Sequence, residues 1–566
     1  MNIGLLGDSF RPYQSGGLIT GFDMATSDLF RGFFRYSTDT DFFCLCEPGH
    51  LQEEAVSEIR SQMEPIRAER IHLVNEYKLL FRGPESLPPL DILHSVKEDA
   101  VSALTLREAL KAAVPITFTL HGIAEQHLLT DFFYPMLFLP FRPYDAVICT
   151  SEAVLRTVER ILERLEGIFA DALNLCHNIR VAPEAVQHHI RLERIPLGVD
   201  TKYFSPMNRN FLREKYQIPQ EAFVILWLGR FSSIFKADLF PLVHVFGELV
   251  RSNPQRQLLL MLVGSQEQGV MYREELQSEL RRQGLDEFSR VLDYREIKNR
   301  AELYSVSDVF TSPVDNIQET FGLTPVEAMS CGVPQVVSDW DGYRDTVKDG
   351  ITGFRVKTVW SSCMDDIAAE DCLPLNRGRR RLIHNGLAVR SVVVDCEEYR
   401  KKMQILIDQP ELCKEMGSAS RICAINNFDL RHCVMATEEL WNRLRETAHS
   451  TASNFSRNVV PMLNYCKDFV PYPTTYADDN MVFYLSDSSE VERSFAVRQL
   501  NLFANTIEEA NLTQMIMDSF CRNVRTNIAA LSRQFSTYSL SQIRRSVMFL
   551  YKYDIIRPLD INLRPQ

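Results

Sequence analysis

The chain has 566 residues, of which 45% are hydrophobic and 24% are charged. This balance is that of an ordinary globular protein, and the length predicts two large domains with an appendage rather than one domain. A net charge of −12 and a pI near 5.6 argue against nucleic-acid binding as the main function. The 13 cysteines are scattered without a C-x-x-C pair, which is typical of reduced thiols and predicts a cytoplasmic protein.

No stretch of the sequence approaches the length of apolar chain that crosses a bilayer, so no transmembrane helix is predicted. The most apolar segment, FFYPMLFLPF at residues 132–141, is short and carries two prolines. Its default interpretation is a buried helix or loop. The alternative is a surface that contacts a membrane or a lipid acceptor.

The first part of the chain predicts an open parallel sheet. A strand, a loop containing Ser15-Gly16-Gly17 and a long helix form a Rossmann-type opening, although this loop is not the dinucleotide fingerprint and NAD binding is disfavoured. His121 follows a strand at the edge where open α/β sheets bind ligands. The predicted strands lie at residues 2–6, 42–45, 91–94, 115–120 and 144–151, with helices through 18–34, 104–112 and from 151 to about 167.

Asp39 and Asp41 form a D-x-D pair, a pattern that can hold a divalent metal. Two acids alone make a poor site for a hard cation, and the pair lies between a helix and a strand, where turn residues are expected. We therefore interpret the pair as part of a turn and predict no metal site, with metal binding as the alternative.

Residues 195–206, IPLGVDTKYFSP, are typical of a linker, and we place the domain boundary between residues 204 and 205. A second parallel sheet is predicted to follow. Arg230 and Lys236 come directly after its first strand. Its predicted strands lie at 223–228, 257–263, 291–293 and 333–337, and helices are predicted at 397–407, 410–426 and 430–445.

The most informative stretch is residues 312–354, where Glu319 and Glu327 lie eight positions apart and flank the turn Phe321-Gly322-Leu323. Thr324 is predicted to cap a helix, with Pro325 in the first helical position and Glu327 completing a capping box. Cys331-Gly332 is predicted to end that helix.

A helix start of this kind favours anions, because the N–H groups of Gly322, Leu323 and Thr324 are free and the helix dipole is positive there. A carboxylate just before it, at Glu319, is better suited to accept hydrogen bonds from hydroxyls. The two together suggest a phosphorylated sugar as ligand. The alternative makes Glu319 a solvated loop acid and Glu327 a capping residue only.

Residues 314–354 resemble the E-x7-E region of family-4 retaining glycosyltransferases, which have two facing Rossmann-like domains, the GT-B architecture. The linker IPLGVDTKYFSP resembles the family's I-P-x-G-V-D-x-x-x-F-x-P. The resemblance implies that Glu319 contacts the hydroxyls of a donor sugar and that Glu327 binds the ribose of its nucleotide. No residue is an obvious covalent nucleophile, so it also implies same-face substitution in which the leaving phosphate accepts the acceptor's proton.

The resemblance extends to residues elsewhere in the chain. It implies that Arg230 and Lys236 contact the donor phosphates, although Lys236 falls one residue later than in many members. It places His121 against the sugar, and Gly16 and Gly17 against the diphosphate from the opposite domain. The donor-binding set it implies is completed by Phe321, Gly322, Leu323 and Thr324.

The predicted fold class is α/β, with two facing Rossmann-like domains built on parallel sheets and a mainly helical C-terminal appendage. Residues 1–204 form the acceptor-side domain, and residues 205–448 form the nucleotide-sugar-binding domain, whose last helix crosses back to the first domain. Residues 449–566 form the appendage, which suits a small helical or winged-helix module that binds an acceptor or a partner. Residues 357–394 are an insertion, interpreted as a polar solvated loop or an excursion near the cleft.

The predicted function is that of a metal-independent retaining hexosyltransferase without a cofactor. It would move a sugar from a nucleotide-diphosphate sugar to an unidentified hydroxyl-bearing acceptor, which is a glycan, lipid, peptide or small molecule. One alternative is a sugar-phosphate transferase or phosphorylase of the same architecture, and another is a non-catalytic sugar-nucleotide-binding scaffold. Nucleic acid is not favoured as a partner, and peripheral membrane contact stays open.

Overall fold

The computed structural model describes residues 1–7, 21–46, 56–58, 60–61, 65–75, 87–110, 112–124, 127–177, 180–182, 186–266, 271–297, 299–361, 386–451, 471, 477–487, 507–522 and 525–559. The chain forms two compact units, one of residues 1–74 and 89–460 and another of residues 75–88 and 461–566. The first unit contains two large sheets with helices, so the α/β prediction is confirmed.

The first sheet has seven strands in the order β3-β2-β1-β4-β5-β6-β7, and the pairings from β2 to β7 are parallel. Every residue of β4, β5 and β6 is buried, as expected for central strands covered by helices on both faces. The strands are β1 (Asn2–Leu6), β2 (Asp41–Cys46), β3 (Ile71–Asn75), β4 (Ile92–Ser95), β5 (Ile116–Leu120), β6 (Ala146–Cys149) and β7 (Arg191–Arg194).

Helices of this half follow the predicted order, with one extension. The helix after Ser151 continues to His177, well beyond the expected end near Gly167, although Ala170 is the one buried residue in the described part of that extension. The helices are α1 (Gly21–Tyr36), α2 (Pro65–Ala68), α3 (Ala100–Leu110), α4 (Tyr134–Phe138) and α5 (Glu152–His177).

The second sheet has six strands in the order β10-β9-β8-β11-β12-β13, and all its pairings are parallel. Its central strands carry long runs of apolar residues and are buried on both faces. The strands are β8 (Phe223–Arg230), β9 (Leu258–Ser265), β10 (Ser289–Asp293), β11 (Val309–Ser312), β12 (Gln335–Ser338) and β13 (Gly353–Val356).

Short helices connect these strands, and three longer ones follow them. The connecting helices are α6 (Arg209–Lys215), α7 (Phe240–Ser252), α8 (Tyr272–Arg282), α9 (Arg300–Val306), α10 (Leu323–Ser330) and α11 (Tyr343–Thr346). The later helices are α12 (Cys396–Asp408), α13 (Pro410–Asn427) and α14 (Leu430–Thr451).

The last of these helices, α14, returns to the first sheet. The ring of Trp441, which is fully buried, lies 5.0 Å from that of Phe33 on α1. Its indole Nε1 donates a hydrogen bond of 3.1 Å to Oγ1 of Thr117 on β5. Helix α14 therefore packs against the first sheet.

The described ends of the predicted insertion at residues 357–394 form strands instead of the predicted solvated loop. Strand β14 (Thr358–Trp360) pairs antiparallel with β15 (Val392–Val394). The run of β-branched valines in β15 explains the strand, and the basic run at residues 377–381 lies outside the described residues.

The apolar segment at residues 132–141 is mainly buried, in agreement with its default interpretation. Phe132 and Phe133 end a π-helical turn and pack in the interior, and α4 follows directly. Phe138 is half exposed, and its ring packs edge-on against Phe169 at 4.4 Å. Among the helices in the described part of the chain, none has the length and apolar character needed to cross a membrane.

The second unit combines helices with a small antiparallel sheet of order β17-β16-β18, formed by β16 (Val482–Leu485), β17 (Arg525–Asn527) and β18 (Ile556–Pro558). Its helices are α15 (Ile507–Arg522), α16 (Ile528–Gln534) and α17 (Leu540–Lys552). Ser539 caps α17 in a capping box with Gln542, and Phe483, Phe520 and Val547 belong to the buried core of the unit. The helical prediction holds, while the sheet shows that the unit is not helical throughout.

Candidate functional site

Parallel pairing of β8 and β11 brings three predicted site residues to one edge of the second sheet. Arg230 is the last residue of β8, Lys236 lies on the following loop, and Glu319 lies on the loop after β11. Lys236 Nζ donates to Glu319 Oε2 at 2.6 Å, and these side chains are 18% and 14% exposed. The sequence-predicted cation and carboxylate therefore form an ion pair.

The loop that carries Lys236 is bound to the loop that carries Glu319. The Asn316 side-chain amide donates to the carbonyl of Lys236, and Trp340 Nε1 donates to the carbonyl of Asn316 at 2.8 Å. The backbone N–H of Asp238 donates to Asp315 Oδ1 at 3.3 Å. These bonds place Lys236 beside Glu319 in spite of its one-residue offset from the family spacing.

Positive charge is concentrated at this edge. The Arg230 guanidinium lies 5.2 Å from the centre of the Phe235 ring, a cation–π distance, and Arg230 is close enough to Lys236 to repel its charge. Burial lowers the pKa of Lys236, but the Glu319 carboxylate outweighs burial and the pKa is raised. Both cations therefore carry their charge at neutral pH.

The turn between the two glutamates has a backbone that requires glycine. Gly322 has φ +95°, and a Cβ there would lie 2.2 Å from a ring carbon of Tyr343. Helix α10 begins at Leu323 with Gly322 as its N-cap and without a side-chain cap. The left-handed glycine turns the chain straight into the helix.

The predicted capping box is therefore wrong. Thr324 is the second helical residue rather than the cap, and Pro325 is the third. Glu327 is then turned inward, away from the helix start. The predicted end is confirmed, since Cys331 is the C-cap and Gly332 has φ +75°.

Glu327 lies in the interior of the protein, where two residues of α9 contact it. Arg300 Nη1 donates to Glu327 Oε1 at 2.8 Å, and the Tyr304 hydroxyl donates to Oε2 at 2.6 Å. Burial raises the pKa of Glu327, and the Arg300 charge and the Tyr304 hydrogen bond oppose that rise. Sequence reasoning missed Arg300 and Tyr304, although their spacing of four residues puts them on one helix face.

His121 comes from the first sheet and lies next to the Glu319 loop. Its carbonyl accepts a hydrogen bond of 3.0 Å from Thr320 Oγ1. Both ring nitrogens are buried and have no hydrogen-bond partner among the described residues, and the ring packs edge-on against Phe22 at 5.4 Å. Burial lowers its pKa to about 4, so the imidazole is neutral at physiological pH.

A cavity of about 370 Å³ lies where α5 meets the segment after β12. Asp341 lines it with φ +42° and receives a hydrogen bond of 3.4 Å from Ser151 Oγ. Burial, followed by the charge of Glu319, raises the pKa of Asp341 to about 7. The cavity is lined by Glu152, Ala153, Arg156, Thr157, Arg160, Asp341, Arg344 and Asp345.

The remaining predicted site residues are not brought into this group. Gly16 and Gly17 lie outside the described residues. Asp39 lies 3.6 Å from Arg70, and Asp41 lies 3.2 Å from His72, so each acid faces a basic side chain. Across the described ranges, no three His, Cys, Asp or Glu side chains are grouped as a metal ion would need.

Comparison with known proteins gives a family match for the second sheet region. Residues 208–369 match the family described as "Glycosyl transferases group 1", which is less than half of the chain. A D-inositol 3-phosphate glycosyltransferase of Geodermatophilus obscurus is 30% identical over 166 residues, 29% of this chain and 36% of the relative. One of the same name from Streptosporangium roseum is 25% identical over 248 residues, 43% of this chain and 53% of the relative.

Among solved structures, the chain is similar to a glycosyltransferase from Rickettsia africae, with a TM-score of 0.53 and 17% identity. The alignment covers 80% of this chain and 99% of that one. This similarity shows the fold, two parallel-stranded sheets as in GT-B glycosyltransferases. The chain spans about a third to a half of the length of the curated relatives reported above.

Proposed function

We propose that this chain is a retaining, metal-independent glycosyltransferase that moves a hexose from a nucleotide-diphosphate sugar to a hydroxyl-bearing acceptor. The observation that carries the proposal is the Lys236–Glu319 ion pair beside Arg230, at the carboxyl edge of a sheet whose residues match the group 1 family. A hydroxyl-binding carboxylate next to two cations suits a sugar that is linked to a diphosphate.

In this proposal Arg230 and Lys236 hold the donor diphosphate. That group gains negative charge as the glycosidic bond breaks, and fixed cations stabilise the gain. The first turn of α10, after Gly322, adds backbone N–H groups and the positive end of a helix dipole. Lys236 would exchange its contact with Glu319 for one with phosphate when the donor binds.

The sugar would lie between Glu319 and His121. Glu319 accepts hydrogen bonds from sugar hydroxyls, and the neutral His121 ring offers one donor and one acceptor without a competing partner among the described residues. Glu327 would accept the ribose hydroxyls. The leaving phosphate would take the acceptor's proton on the same face, and closing of the site would exclude water.

For the chain as a whole, we propose residues 1–204 as the acceptor-side domain and residues 205–448 as the donor-side domain. Residues 449–566 would recognise an acceptor or a partner. The 13 cysteines are scattered without a C-x-x-C pair, which favours a reducing compartment, and we propose the cytoplasm.

We propose the cavity beside Asp341 as the acceptor side of the site. Three arginines, Arg156, Arg160 and Arg344, line it together with three acids, Glu152, Asp341 and Asp345, so the lining suits a polar, hydroxyl-bearing acceptor. The printed name of the curated relatives, D-inositol 3-phosphate glycosyltransferase, makes inositol phosphate the first acceptor to test.

The test incubates the full chain with UDP-, GDP- and ADP-hexoses in the presence of EDTA, with and without inositol phosphate. Release of nucleoside diphosphate is measured, and the anomeric configuration of the product is read by NMR. We expect one donor to be consumed, with retention and without added metal. Turnover that requires inorganic phosphate would favour a phosphorylase, and binding without any turnover would favour the scaffold alternative.

A further inference from the structure

Arg300 and Glu327 form a buried ion pair beneath the proposed donor site. Their side chains are 13% and 3% exposed, and the contact from Arg300 Nη1 to Glu327 Oε1 is 2.8 Å. The Arg300 guanidinium also lies 5.1 Å from the centre of the Phe204 ring. Asn299 caps the helix α9 that begins at Arg300, with its side chain accepting from the N–H of Ala301. The arginine is therefore held from its backbone to its charged group.

The Glu327 carboxylate keeps acceptor capacity in this arrangement. An ionised carboxylate has about four lone-pair positions, and Arg300 and Tyr304 each use one, on different oxygens. Among the described residues, no other hydrogen bond is made to the two remaining positions, one on each oxygen. A ribose presents two adjacent hydroxyl donors, which is the complement that such a carboxylate can bind.

This capacity depends on charge. A carboxylate that is almost wholly buried tends to take up a proton unless a cation is near it, and a protonated carboxyl is a donor at one oxygen. Burial is the largest influence on Glu327 and raises its pKa, while Arg300 is the largest opposing one. The groups that shift the pKa of Glu327, or whose own pKa is shifted by Glu327, are Arg300, Tyr304, Asp28, Lys236, Cys331, Tyr203 and Tyr294.

These groups differ in whether they favour or oppose the ionised form of Glu327. Tyr304 contributes a hydrogen bond but no charge, and Asp28 opposes ionisation. Lys236 supports ionisation less than Arg300 does and is itself paired with Glu319. Within the described part of the chain, Arg300 is thus the group that most favours the ionised form of Glu327.

We propose that Arg300 is a positioning residue for nucleotide binding, which holds the Glu327 carboxylate ionised and oriented to accept both ribose hydroxyls. The inference rests on the proposed function, because it takes Glu327 as the ribose-binding group. It predicts that a neutral residue at position 300 makes nucleotide binding dependent on pH in a range where the wild-type protein is insensitive.

The test measures the Kd of UDP, GDP and ADP by calorimetry, for full-length wild type and Arg300→Leu, from about pH 6 to about pH 8.5. The readout is the ratio of the two Kd values at each pH, which cancels the titration of the nucleotide itself. We expect Arg300→Leu to bind more weakly at low pH and to recover as the pH rises. Below the raised pKa the ratio should change about tenfold for each pH unit, as for one linked proton.

Three further variants separate charge from packing. Arg300→Lys keeps the charge and should return the ratio to a flat profile. Arg300→Gln keeps a hydrogen-bond donor without charge, so it should show the same pH dependence as Arg300→Leu and stands in if that variant does not fold. Adding Glu327→Gln to Arg300→Leu removes the titrating group and should abolish the dependence.

Two outcomes would count against the inference, and they are distinguishable. In the first, the wild-type protein binds a nucleotide and the Kd of Arg300→Leu or Arg300→Gln follows the same pH profile as that of the wild type. This result overturns the role of Arg300 and leaves the proposed function standing. If the wild-type protein binds none of the three nucleotides at any pH, the proposed function fails and this inference fails with it.

Discussion

The surroundings of Glu319 and Glu327 differ, although these glutamates lie eight positions apart in one segment. Each pairs with a cation at a similar distance, 2.6 Å for Lys236 with Glu319 and 2.8 Å for Arg300 with Glu327. Glu319 lies on a loop at the sheet edge beside residues of both sheets. Glu327 lies on a helix face that packs against α9 and is nearly inaccessible.

The location of an ion pair and the chemistry of its members decide whether it can exchange partners with a ligand. Lysine is a flexible point charge, so the Lys236–Glu319 pair can open and each member can bind a different part of a ligand. Arg300 is fixed by the Phe204 ring, by its place at the start of α9 and by the Glu327 carboxylate. The first pair is suited to exchange partners with a substrate, and the second is suited to remain closed.

The largest effect on stability is expected from Glu327→Ala. It leaves the Arg300 charge buried without its partner, which costs about 3–5 kcal/mol of unfolding free energy. Urea denaturation of Glu319→Ala should show a smaller loss, of about 1 kcal/mol, since the Lys236 side chain is flexible and 18% exposed. The double variant Arg300→Leu/Glu327→Ala should recover part of the first loss. Equal losses for the two single variants would remove the distinction between the pairs.

The next effect concerns turnover. Lys236→Ala should lower kcat by about 10²–10³-fold, about 2.7–4 kcal/mol, as for loss of a preorganised group that stabilises developing charge. Lys215→Ala is the matched control, because Lys215 pairs with Glu302 at the same 2.6 Å on an exposed surface. Steady-state donor consumption should be unchanged in that control. A Lys236→Ala enzyme with full activity would refute the phosphate assignment.

A smaller effect is expected at the glycine that separates the two regions. Gly322→Ala should destabilise the fold by about 2 kcal/mol more than Gly350→Ala, because the added Cβ overlaps the Tyr343 ring as well as straining the backbone. Gly350 has φ +73° but no atom within 4 Å of its added Cβ among the described residues. Thermal unfolding of both variants gives the difference, and identical melting temperatures would mean that the ring contact is unimportant.

The smallest effect is a pH dependence in the Glu319 region. Burial, with the neighbouring Asp238, raises the pKa of Asp315 to about 8, whereas the unfolded chain ionises near 3.8. Between these values a rising pH stabilises the unfolded state more than the folded state, so the folded protein loses stability. Asp315→Asn should remove that loss, so its stability relative to the wild-type protein should rise from no gain near pH 4 to a measurable gain at pH 8. A gain that does not vary with pH would point to packing instead.

Much of this protein follows from local patterns that the sequence itself contains. Apolar runs ended by glycine and polar residues predicted the central strands of both sheets, because strands covered on both faces need continuous apolar side chains. The family resemblance implied that Arg230 and Glu319 serve one site, and the parallel strands β8 and β11, which end together, bring them to one edge.

Tertiary structure decided what local patterns cannot express. The capping box at Thr324 and Glu327 was a sound local pattern, but the left-handed Gly322 starts the helix earlier. Glu327 found partners on another helix, Arg300 and Tyr304, 27 and 23 residues away. The exchange of a cap for a buried ion pair is a matter of long-range packing, because burial makes an unpaired carboxylate costly and selects the contact that neutralises it.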